Sequence, residues 1–416
     1  MNAGHRVDGG GRRLIYADSF GDGHHVALHA RAVLKSAVAR GRRCLWLTSA
    51  GALEHPASRQ LLGDLGGDLE IQVGPFPAHP ANVSRAGAWP WYEVRHFAAL
   101  RGGLRSLPAE WDAAPVYLAW LDHCPRVLGA LGMPSPRFPY CGLHMHVSLH
   151  ERANAAPTVK SVVRARGWSD RLVRRMYASG GLQRIAVLIR PFAEFVRRTT
   201  MPGWERVVYV PDLAQVSVRM DRTQARARLG VSDRDCVILS YGALSLRKGV
   251  GELLRSLEGV SEPGSWVVHL AGSQDAETRA LIADRSDDHR RRGLRIIEWN
   301  RFLNDEEESV AFAAADLVWM GYRGFLASSG VLLQAASARL PVVATHEGVI
   351  GETTREWGLG PVVDTSDIAA VRAALESLRA APSLRKEYGA RGEPLAEEHS
   401  PGRFAERILK MVSDIE

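Results

Sequence analysis

The sequence predicts an α/β protein with two parallel-sheet domains, and two observations lead to this prediction. Strand-like and helix-like segments alternate through both halves of the chain, which is typical of parallel sheets covered by helices. The length of 416 residues also exceeds what one hydrophobic core usually supports. We therefore expect two domains, with a boundary between residues 199 and 215.

The first half begins with a predicted strand at 13–18, a glycine-rich turn, a helix over 26–39 and a second strand at 43–48. Further strands are predicted at 69–73, 141–148 and 184–189. Residues 77–112 contain Pro-Phe-Pro and Trp-Pro-Trp-Tyr with little periodicity. This segment therefore predicts loops and short helices, which commonly carry ligand-recognition elements.

The second half follows the segment Val-Val-Tyr-Val-Pro-Asp at 207–212 and begins with an arginine-rich helix ending near Gly230. A buried strand at 236–240 leads into the turn Tyr-Gly-Ala-Leu-Ser-Leu-Arg-Lys-Gly at 241–249. Later strands are predicted at 266–271, 295–298, 317–320 and 342–345. Residues 399–416 predict an amphipathic helix, and we expect it to pack back on the N-terminal domain.

The segment Ser328 to Pro341 combines a small-residue turn, an apolar helix and an immediately following buried strand. The first turn of a helix has unpaired N–H groups and the positive end of the helix dipole, so it favours a phosphate. This pattern indicates a diphosphate-binding turn. An ordinary Ser-capped helix has the same pattern, and this segment alone does not separate the two.

Composition excludes several classes of protein. The chain has no run of about 18 apolar residues and no signal-peptide core, which favours a cytoplasmic protein. Its four cysteines lack paired spacing, which argues against disulfides and a zinc site. Much of the net charge of +7 lies between residues 160 and 198. This basic segment is more typical of a solvated helix face than of a membrane contact. It contains no nucleic-acid-binding motif.

Six short motifs occur in order between residues 207 and 364. They are Val-Tyr-Val-Pro-Asp, Arg-Ala-Arg-Leu-Gly-Val, the turn at 241–249 with Val250, Leu-Ala-Gly-Ser, Ala-Ala-Ala-Asp-Leu-Val-Trp-Met, and Ser-Ser-Gly followed by Leu-Pro-Val-Val-Ala-Thr. In this order and spacing the chain resembles the retaining, nucleotide-sugar-dependent glycosyltransferases of the GT-B fold, family 4 in type. The first half matches them only in outline.

The resemblance implies two Rossmann-like domains that face each other across a cleft. Residues 1–205 would form the acceptor domain, 206–398 the nucleotide-sugar donor domain, and 399–416 the returning helix. It also implies transfer of a hexose-like sugar from a UDP- or GDP-sugar to a small acceptor, with retention and without a metal or another cofactor. The arginine- and alanine-rich composition suggests a bacterial source and specialised metabolism; a homodimer remains open.

The resemblance assigns roles to several residues of the second half. Lys248 matches the lysine that contacts the donor diphosphate, and Arg247 is our candidate for the charge that relatives carry at the position of Ala243. Backbone amides of a three-residue loop would bind the distal phosphates, and four residues would lie near the nucleoside. These are Ser328, Ser329 and Gly330 for the phosphates, and Asn300, Arg301, Phe302 and Gln334 for the nucleoside.

Two positions depart from the family pattern. Many relatives hold the donor sugar and ribose with two glutamates eight positions apart, where this chain has Leu326 and Gln334. An amide can still bind a ribose hydroxyl, but a leucine cannot bind a sugar hydroxyl. This departure raises the alternative of a catalytically degenerate GT-B protein that binds a nucleotide-sugar or serves as an auxiliary subunit.

The first half contributes candidate histidines and a glycine-rich turn. His144 and His146 lie two positions apart on one predicted strand face, and the resemblance suggests that His146 faces the donor sugar, with His150 as second choice. His146, Lys248 and Arg247 are therefore the predicted catalytic residues. The predicted cleft and acceptor residues are Gly21, Asp22, Gly23, His24, His25 and His150.

Overall fold

The computed structural model describes residues 12–19, 26–78, 89–145, 167–199, 201–213, 220–326 and 328–416. The chain divides into two units, Met1–Asp212 with Pro401–Glu416, and Leu213–Ser400. Each unit contains one parallel sheet covered by helices. The predicted α/β class with two parallel-sheet domains is therefore confirmed.

The first unit has a seven-stranded sheet in the order β3-β2-β1-β4-β5-β6-β7. Every pairing in it is parallel. Its strands are β1 Arg13–Ala17, β2 Arg43–Ser49, β3 Leu69–Gly74, β4 Val116–Leu118, β5 Tyr140–His144, β6 Leu182–Val187 and β7 Val207–Tyr209.

The helices described in this unit begin with a π-helical turn, Val26–Ala30, that continues directly into α1. They are α1 Arg31–Ala39, α2 Ala50–Glu54, α3 Pro56–Leu65, α4 Trp89–Arg105, α5 Pro125–Leu131, α6 Trp168–Ala178 and α7 Arg190–Arg197, with the C-terminal helix, Pro401–Ser413, in the same unit.

The second unit has a six-stranded parallel sheet in the order β10-β9-β8-β11-β12-β13. Its strands are β8 Cys236–Tyr241, β9 Trp266–Ala271, β10 Arg295–Trp299, β11 Leu317–Met320, β12 Val342–Thr345 and β13 Val362–Val363. Its helices are α8 Arg222–Leu229, α9 Val250–Leu257, α10 Ala276–Arg291, α11 Asp305–Ala314, α12 Gly330–Ser337, α13 Gly348–Trp357, α14 Ile368–Ala380 and α15 Pro382–Glu398. The C-terminal helix Pro401–Ser413, which belongs to the first unit, is α16.

Local sequence explains several element boundaries in the second unit. Asn304 and Glu307 form a reciprocal capping box at the start of α11. Asp221 caps α8, and Gly230 ends it in the left-handed conformation. The central strand β8 is apolar and buried because helices cover both faces of its sheet.

Residues 77–112 differ from the prediction of loops and short helices. Residues 89–105 form the 17-residue helix α4, which begins at Trp89. Pro90 stands in the first turn, where proline is tolerated, and Gly102 and Gly103 lie inside the last turns. These residues suggested breaks, but the helix is stabilised by burial of one face, which includes Phe97 and Leu104.

The strand Val207–Tyr209 pairs with β6 and is therefore part of the first sheet. We expected the second domain to begin at residue 206, whereas the second unit begins at Leu213. The three-residue strand β4 was not predicted, although its residues are buried between β1 and β5.

Candidate functional site

The order of strands in the second sheet reverses between β8 and β11, which are neighbours. The turn at 241–249 follows β8, and the loop at 321–329 follows β11, so both leave the carboxyl edge of the sheet at this point. Open α/β sheets bind ligands at such a switch point. The candidate diphosphate residues Arg247, Lys248 and Ser329 lie in these two segments, and Gly330 directly follows the second.

Lys248 provides a buried positive charge at this point. It is 5% exposed, and its ammonium donates hydrogen bonds to the carbonyl of Tyr241 and, at 2.7 Å, to the hydroxyl of Tyr322. Within the part of the chain that the structure describes, the hydrogen-bond partners of this ammonium are these two neutral oxygens and not a carboxylate. Because a buried charge is costly unless compensated, this ammonium favours an anionic ligand.

The same tyrosine connects the lysine to the start of α12. Ser329 is the N-cap of that helix, but its hydroxyl lies 3.4 Å from the Tyr322 hydroxyl and does not cap the helix. A Cβ atom on Gly242 would lie 3.2 Å from Lys248 Nζ and 3.9 Å from Val331 Cγ2. The structure thus brings the lysine and the first turn of α12 together.

Backbone geometry fixes the lysine turn. Gly249 has a φ of +69°, and a Cβ on it would lie 2.1 Å from the carbonyl oxygen of Gly321. The indole of Trp319 donates to the carbonyls of Lys248, at 2.9 Å, and Gly249, at 3.2 Å. The turn is therefore held against the loop that follows β11.

Arg247 adds an exposed positive charge beside this turn. Its guanidinium carbon lies 4.4 Å from the centroid of the Phe325 ring and 6.0 Å from that of Tyr322. Ala243, where relatives carry an arginine, is exposed in the same turn. Arg247 therefore lies in the same turn as Lys248 and Ala243, and its role at the donor diphosphate stays a prediction.

Three of the predicted nucleoside residues, Asn300, Arg301 and Phe302, follow β10, which lies two strands from β8, or roughly 10 Å. The Asn300 side-chain oxygen accepts a hydrogen bond from the backbone N–H of Gln274 at 2.9 Å, and Arg301 pairs with Glu307 at 2.6 Å. Both side chains therefore hold the loop itself. Phe302 is 91% exposed, which leaves its ring available for stacking.

Gln334 on α12 contacts a carboxylate that sequence reasoning missed. Its amide donates to Glu308 Oε2 on α11 at 3.1 Å, and the hydroxyl of Tyr241 donates to the same oxygen. The pKa of Glu308 is raised, because its burial and the nearby charge of Asp305 outweigh the hydrogen bonds from Tyr241 and Gln334, which lower it. Glu308 stands in the acidic run that starts α11, and the sequence gives no sign that it differs from Glu307.

The loop containing Leu326 is also held by a carboxylate from elsewhere in the chain. Leu326 is half-buried, and the amide of Gly324 donates to Glu347 Oε2 at 2.7 Å. Glu347 follows β12. Glu347 is the first carboxylate after Asp316 in the sequence, which makes it a visible candidate. Its contact with this loop could not be predicted, because the contact depends on the fold.

The first unit contains a separate pocket at its own switch point, between β1 and β4. It is small, with a cavity volume of about 20 Å³, and is partly open to solvent. The imidazoles of His96 and His123 stack in its wall with centroids 4.4 Å apart, and Tyr92 Oη lies 2.7 Å from His123 Nδ1. Its other lining residues include Asp18, Ser19, Phe76, Leu100, Trp120 and Leu128.

The predicted histidines and glycine turn of the first half are mostly outside the described residues. His146, His150, Gly21, Asp22, Gly23, His24 and His25 all lie there. His144 is buried, with Nδ1 2.6 Å from the Tyr177 hydroxyl and Nε2 3.4 Å from Asp122 Oδ1. It is therefore a hydrogen-bonded core histidine.

Among the described residues, no three His, Cys, Asp or Glu side chains gather in a way that could hold a metal ion. The four cysteines are free and buried. No helix within the described ranges is both long and apolar enough to cross a membrane.

Comparison with known proteins agrees with this architecture. Residues 235–380 match the family model of glycosyl transferases group 1. A phosphatidyl-myo-inositol mannosyltransferase of Mycobacterium leprae (strain TN) is 27% identical over 174 residues, which cover 41% of this chain. The match covers 44% of that protein, so less than half of its length corresponds to this chain.

Solved structures match along nearly the whole chain. Sucrose-phosphate synthase of Thermosynechococcus elongatus has a TM-score of 0.68 at 14% identity, covering 97% of this chain and 98% of its own. HepE of Anabaena, solved with UDP and glucose, has a TM-score of 0.63 at 15% identity, covering 97% and 100%. The GT-B fold and the resemblance to family 4-like glycosyltransferases are confirmed.

Proposed function

We propose that this GT-B protein is a glycosyltransferase that moves a hexose-like sugar from a nucleotide diphosphate donor to a small acceptor, with retention. The observation that carries the proposal is the Lys248 ammonium, which is buried, has no carboxylate partner among the described residues, and lies beside the start of α12, where no side chain caps the helix. The matched family and the mannosyltransferase relative support sugar transfer. UDP is the first nucleotide to test, because the HepE structure contains UDP and glucose.

These residues suit the chemistry of a leaving diphosphate. As the bond to the anomeric carbon breaks, negative charge develops on the phosphate oxygens, and preorganised donors stabilise it. Lys248 and the amides of Ser329 and Gly330 provide such donors, and Arg247 adds a second cation. Basic groups and amides then take the place of a metal ion.

Retention follows from a front-face reaction on this arrangement. A phosphate oxygen of the leaving group accepts the proton of the acceptor hydroxyl, so no enzymic base is required. The main contribution of the protein is then to position donor and acceptor and to stabilise charge. His146 remains a predicted catalytic residue near the donor sugar.

We propose that the acceptor binds over the opening of the pocket in the first unit, because the cavity of about 20 Å³ has room for about one water molecule. Its lining combines polar side chains, such as that of Ser19, with the apolar surface of Phe76 and Leu100. Among the described residues, no lysine or arginine lines this pocket. This lining suits an uncharged, hydroxylated acceptor better than a phosphorylated one.

The test is a thermal-shift panel of UDP, GDP, ADP, TDP and CDP. A ligand at one hundred times its Kd stabilises the folded protein by about 2.7 kcal/mol, and we expect one nucleotide to do so. Lys248→Met keeps the apolar stem but removes the charge, so it should abolish the shift. Lys386→Ala removes an exposed lysine of the same unit and should leave the shift unchanged.

Turnover separates the proposal from its alternative, a degenerate nucleotide-sugar-binding protein, which Leu326, Gln334 and Ala243 motivate. We expect transfer from the selected donor to an acceptor in a screen of neutral polyols and glycosides. His123→Ala should keep the nucleotide shift but weaken transfer. Nucleotide binding without any consumption of donor would favour the degenerate protein, and no shift with any nucleotide would contradict both.

A further inference from the structure

Three elements of the second unit meet at one carboxylate. Glu308 from α11 accepts hydrogen bonds from Tyr241 at the end of β8 and from Gln334 on α12, both on Oε2. The carboxylate is half-buried. It therefore lies within the region of the proposed nucleotide site, on a helix that sequence reasoning did not connect with it.

Glu308 differs from the two preceding glutamates in its partners, because those two form ion pairs. Glu306 pairs with Arg228, and Glu307 pairs with Arg301. Among the described residues, Glu308 has no cationic partner, and its hydrogen bonds come only from neutral groups on Oε2. An ionised carboxylate has about four acceptor positions, so Oε1 can still accept hydrogen bonds from ligand hydroxyls.

The position of Glu308 fits one part of a nucleotide. Tyr241 connects the two ends of the site, since its carbonyl accepts from Lys248 and its hydroxyl donates to Glu308. Gln334 lies four residues after Gly330, so it is about one turn, or about 6 Å, along α12 from the amide of Gly330. Glu307, the preceding residue, pairs with Arg301 in the predicted base loop.

A carboxylate between a diphosphate site and a base loop lies where a ribose would be. Ribose presents neighbouring 2′ and 3′ hydroxyls, and carboxylates bind ribose hydroxyls in other α/β nucleotide-binding folds. A hydrogen bond to a charged acceptor is stronger than one to a neutral amide. Glu308 can therefore provide the charge that Gln334 lacks.

We propose that Glu308 binds the ribose hydroxyls of the nucleotide, with Gln334 as a positioning residue that orients its carboxylate. The inference rests on the proposed nucleotide site and deepens it. It makes the site selective for ribonucleotides over 2′-deoxyribonucleotides. It also means that a carboxylate on α11 compensates for the one missing from α12.

The experiment measures the Kd of UDP and 2′-deoxy-UDP by calorimetry for four proteins: wild type, Glu308→Gln, Gln334→Leu and Glu306→Gln. If the nucleotide panel selects another base, its ribo and 2′-deoxy diphosphates replace these two. Wild type should bind the ribonucleotide about tenfold more tightly, because it gains a hydrogen bond to a charged group. Glu306→Gln is the matched control, and both affinities should equal those of wild type.

Glu308→Gln keeps the size of the side chain and should weaken UDP about tenfold but 2′-deoxy-UDP less, because 2′-deoxyribose keeps only the 3′ hydroxyl for Glu308 to bind. Gln334→Leu should weaken UDP selectively but less. A melting temperature near that of wild type without ligand would exclude misfolding as the cause. Equal losses for both nucleotides, or no loss for UDP, would overturn the role of Glu308.

The outcomes also separate this inference from the proposed function. Glu308-dependent preference for the ribonucleotide, without any sugar transfer, would support the ribose site and contradict the transferase. If neither nucleotide binds the wild-type protein, both proposals are overturned.

Discussion

Two buried basic side chains of the second unit have different partners, and this difference distinguishes a structural side chain from one that is suited to bind a ligand. Arg226 is 2% exposed and pairs with Asp316 at 3.2 Å, which holds α8 against the start of β11. Lys248 is equally buried, but neutral oxygens surround its ammonium. Removing either partner of a buried ion pair leaves an unpaired charge, so Arg226 is structural, whereas Lys248 is suited to a ligand.

His269 provides a prediction about pH. It is fully buried on β9, and neither ring nitrogen has a hydrogen-bond partner in the described structure. Burial lowers the pKa of His269 to about 4 from the usual 6.5. The unfolded chain therefore takes up this proton first, and the free energy of unfolding falls as the pH drops from 6.5 towards 4.

We expect His269→Leu to remove this loss, which is about 3 kcal/mol at most, and to keep stability at pH 7, because no hydrogen bond is broken. Thermal denaturation at pH 7 and pH 5 measures the effect. Part of the slope should remain, since burial also lowers the pKa of His289. His346→Asn, an exposed control, should behave like wild type, and a variant with the wild-type slope would contradict the assignment.

The sequence predicted regular elements better than the contacts of individual side chains. Long apolar segments such as β8 and β9 were predicted within a residue or two, because burial on both faces gives continuous hydrophobic runs. β13 has only two residues, too few for any pattern. α4 was missed because its prolines and glycines are breaker signals that tertiary packing overrides.

The candidate site shows the same limit. Lys248 and Ser329 could be predicted, since each lies in a local motif after a strand. Tyr322 and Glu308 could not, because their roles depend on contacts across 74 and 26 residues of chain. An acidic residue in the first turn of a helix is also the normal signature of a solvated helix start.

Two adjacent glycines of α4 test the packing of that helix on the first sheet. A Cβ on Gly103 would lie 2.7 Å from Leu47 Cδ1 on β2, whereas one on Gly102 would meet nothing within 4 Å. Leu47 is fully buried and has little room to move. Gly103→Ala should therefore overpack the core and destabilise the unit by about 1–3 kcal/mol.

Gly102→Ala is the matched control. Alanine favours a helix over glycine by about 1 kcal/mol, so this variant should melt at or above the wild-type temperature. Thermal denaturation of both variants measures the difference. Equal melting temperatures would contradict the close approach of α4 to β2.

The first unit contains both ends of the described chain. α16 lies against α1, and its apolar face, which includes Phe404 and Ile408, is buried. Arg42 donates to the Ser413 hydroxyl at 2.6 Å and pairs with Glu416. The C-terminal helix is therefore part of the core of the first unit, although the second unit precedes it in the chain.

Removal of this helix should affect the two units differently. Each large apolar side chain that loses its burial costs about 1.5–3 kcal/mol, and several such side chains together are comparable to the whole stability of a domain. We expect the chain ending at Ser400 to have an unstable first unit but a second unit that still gains stability from the nucleotide. Calorimetry would then show one early transition and one nucleotide-dependent transition, and limited proteolysis would cleave the first unit first.

Point substitutions keep this test quantitative when the truncated chain aggregates. Ile408→Ala removes a fully buried side chain and should cost about 2–5 kcal/mol, whereas Lys410→Ala, on the exposed face of α16, should cost almost nothing. Neither should change the nucleotide Kd, since α16 belongs to the other unit. A loss of nucleotide affinity in Ile408→Ala would mean that the second unit does not bind its ligand independently, and the assignment of binding to Lys248 and α12 alone would then be insufficient.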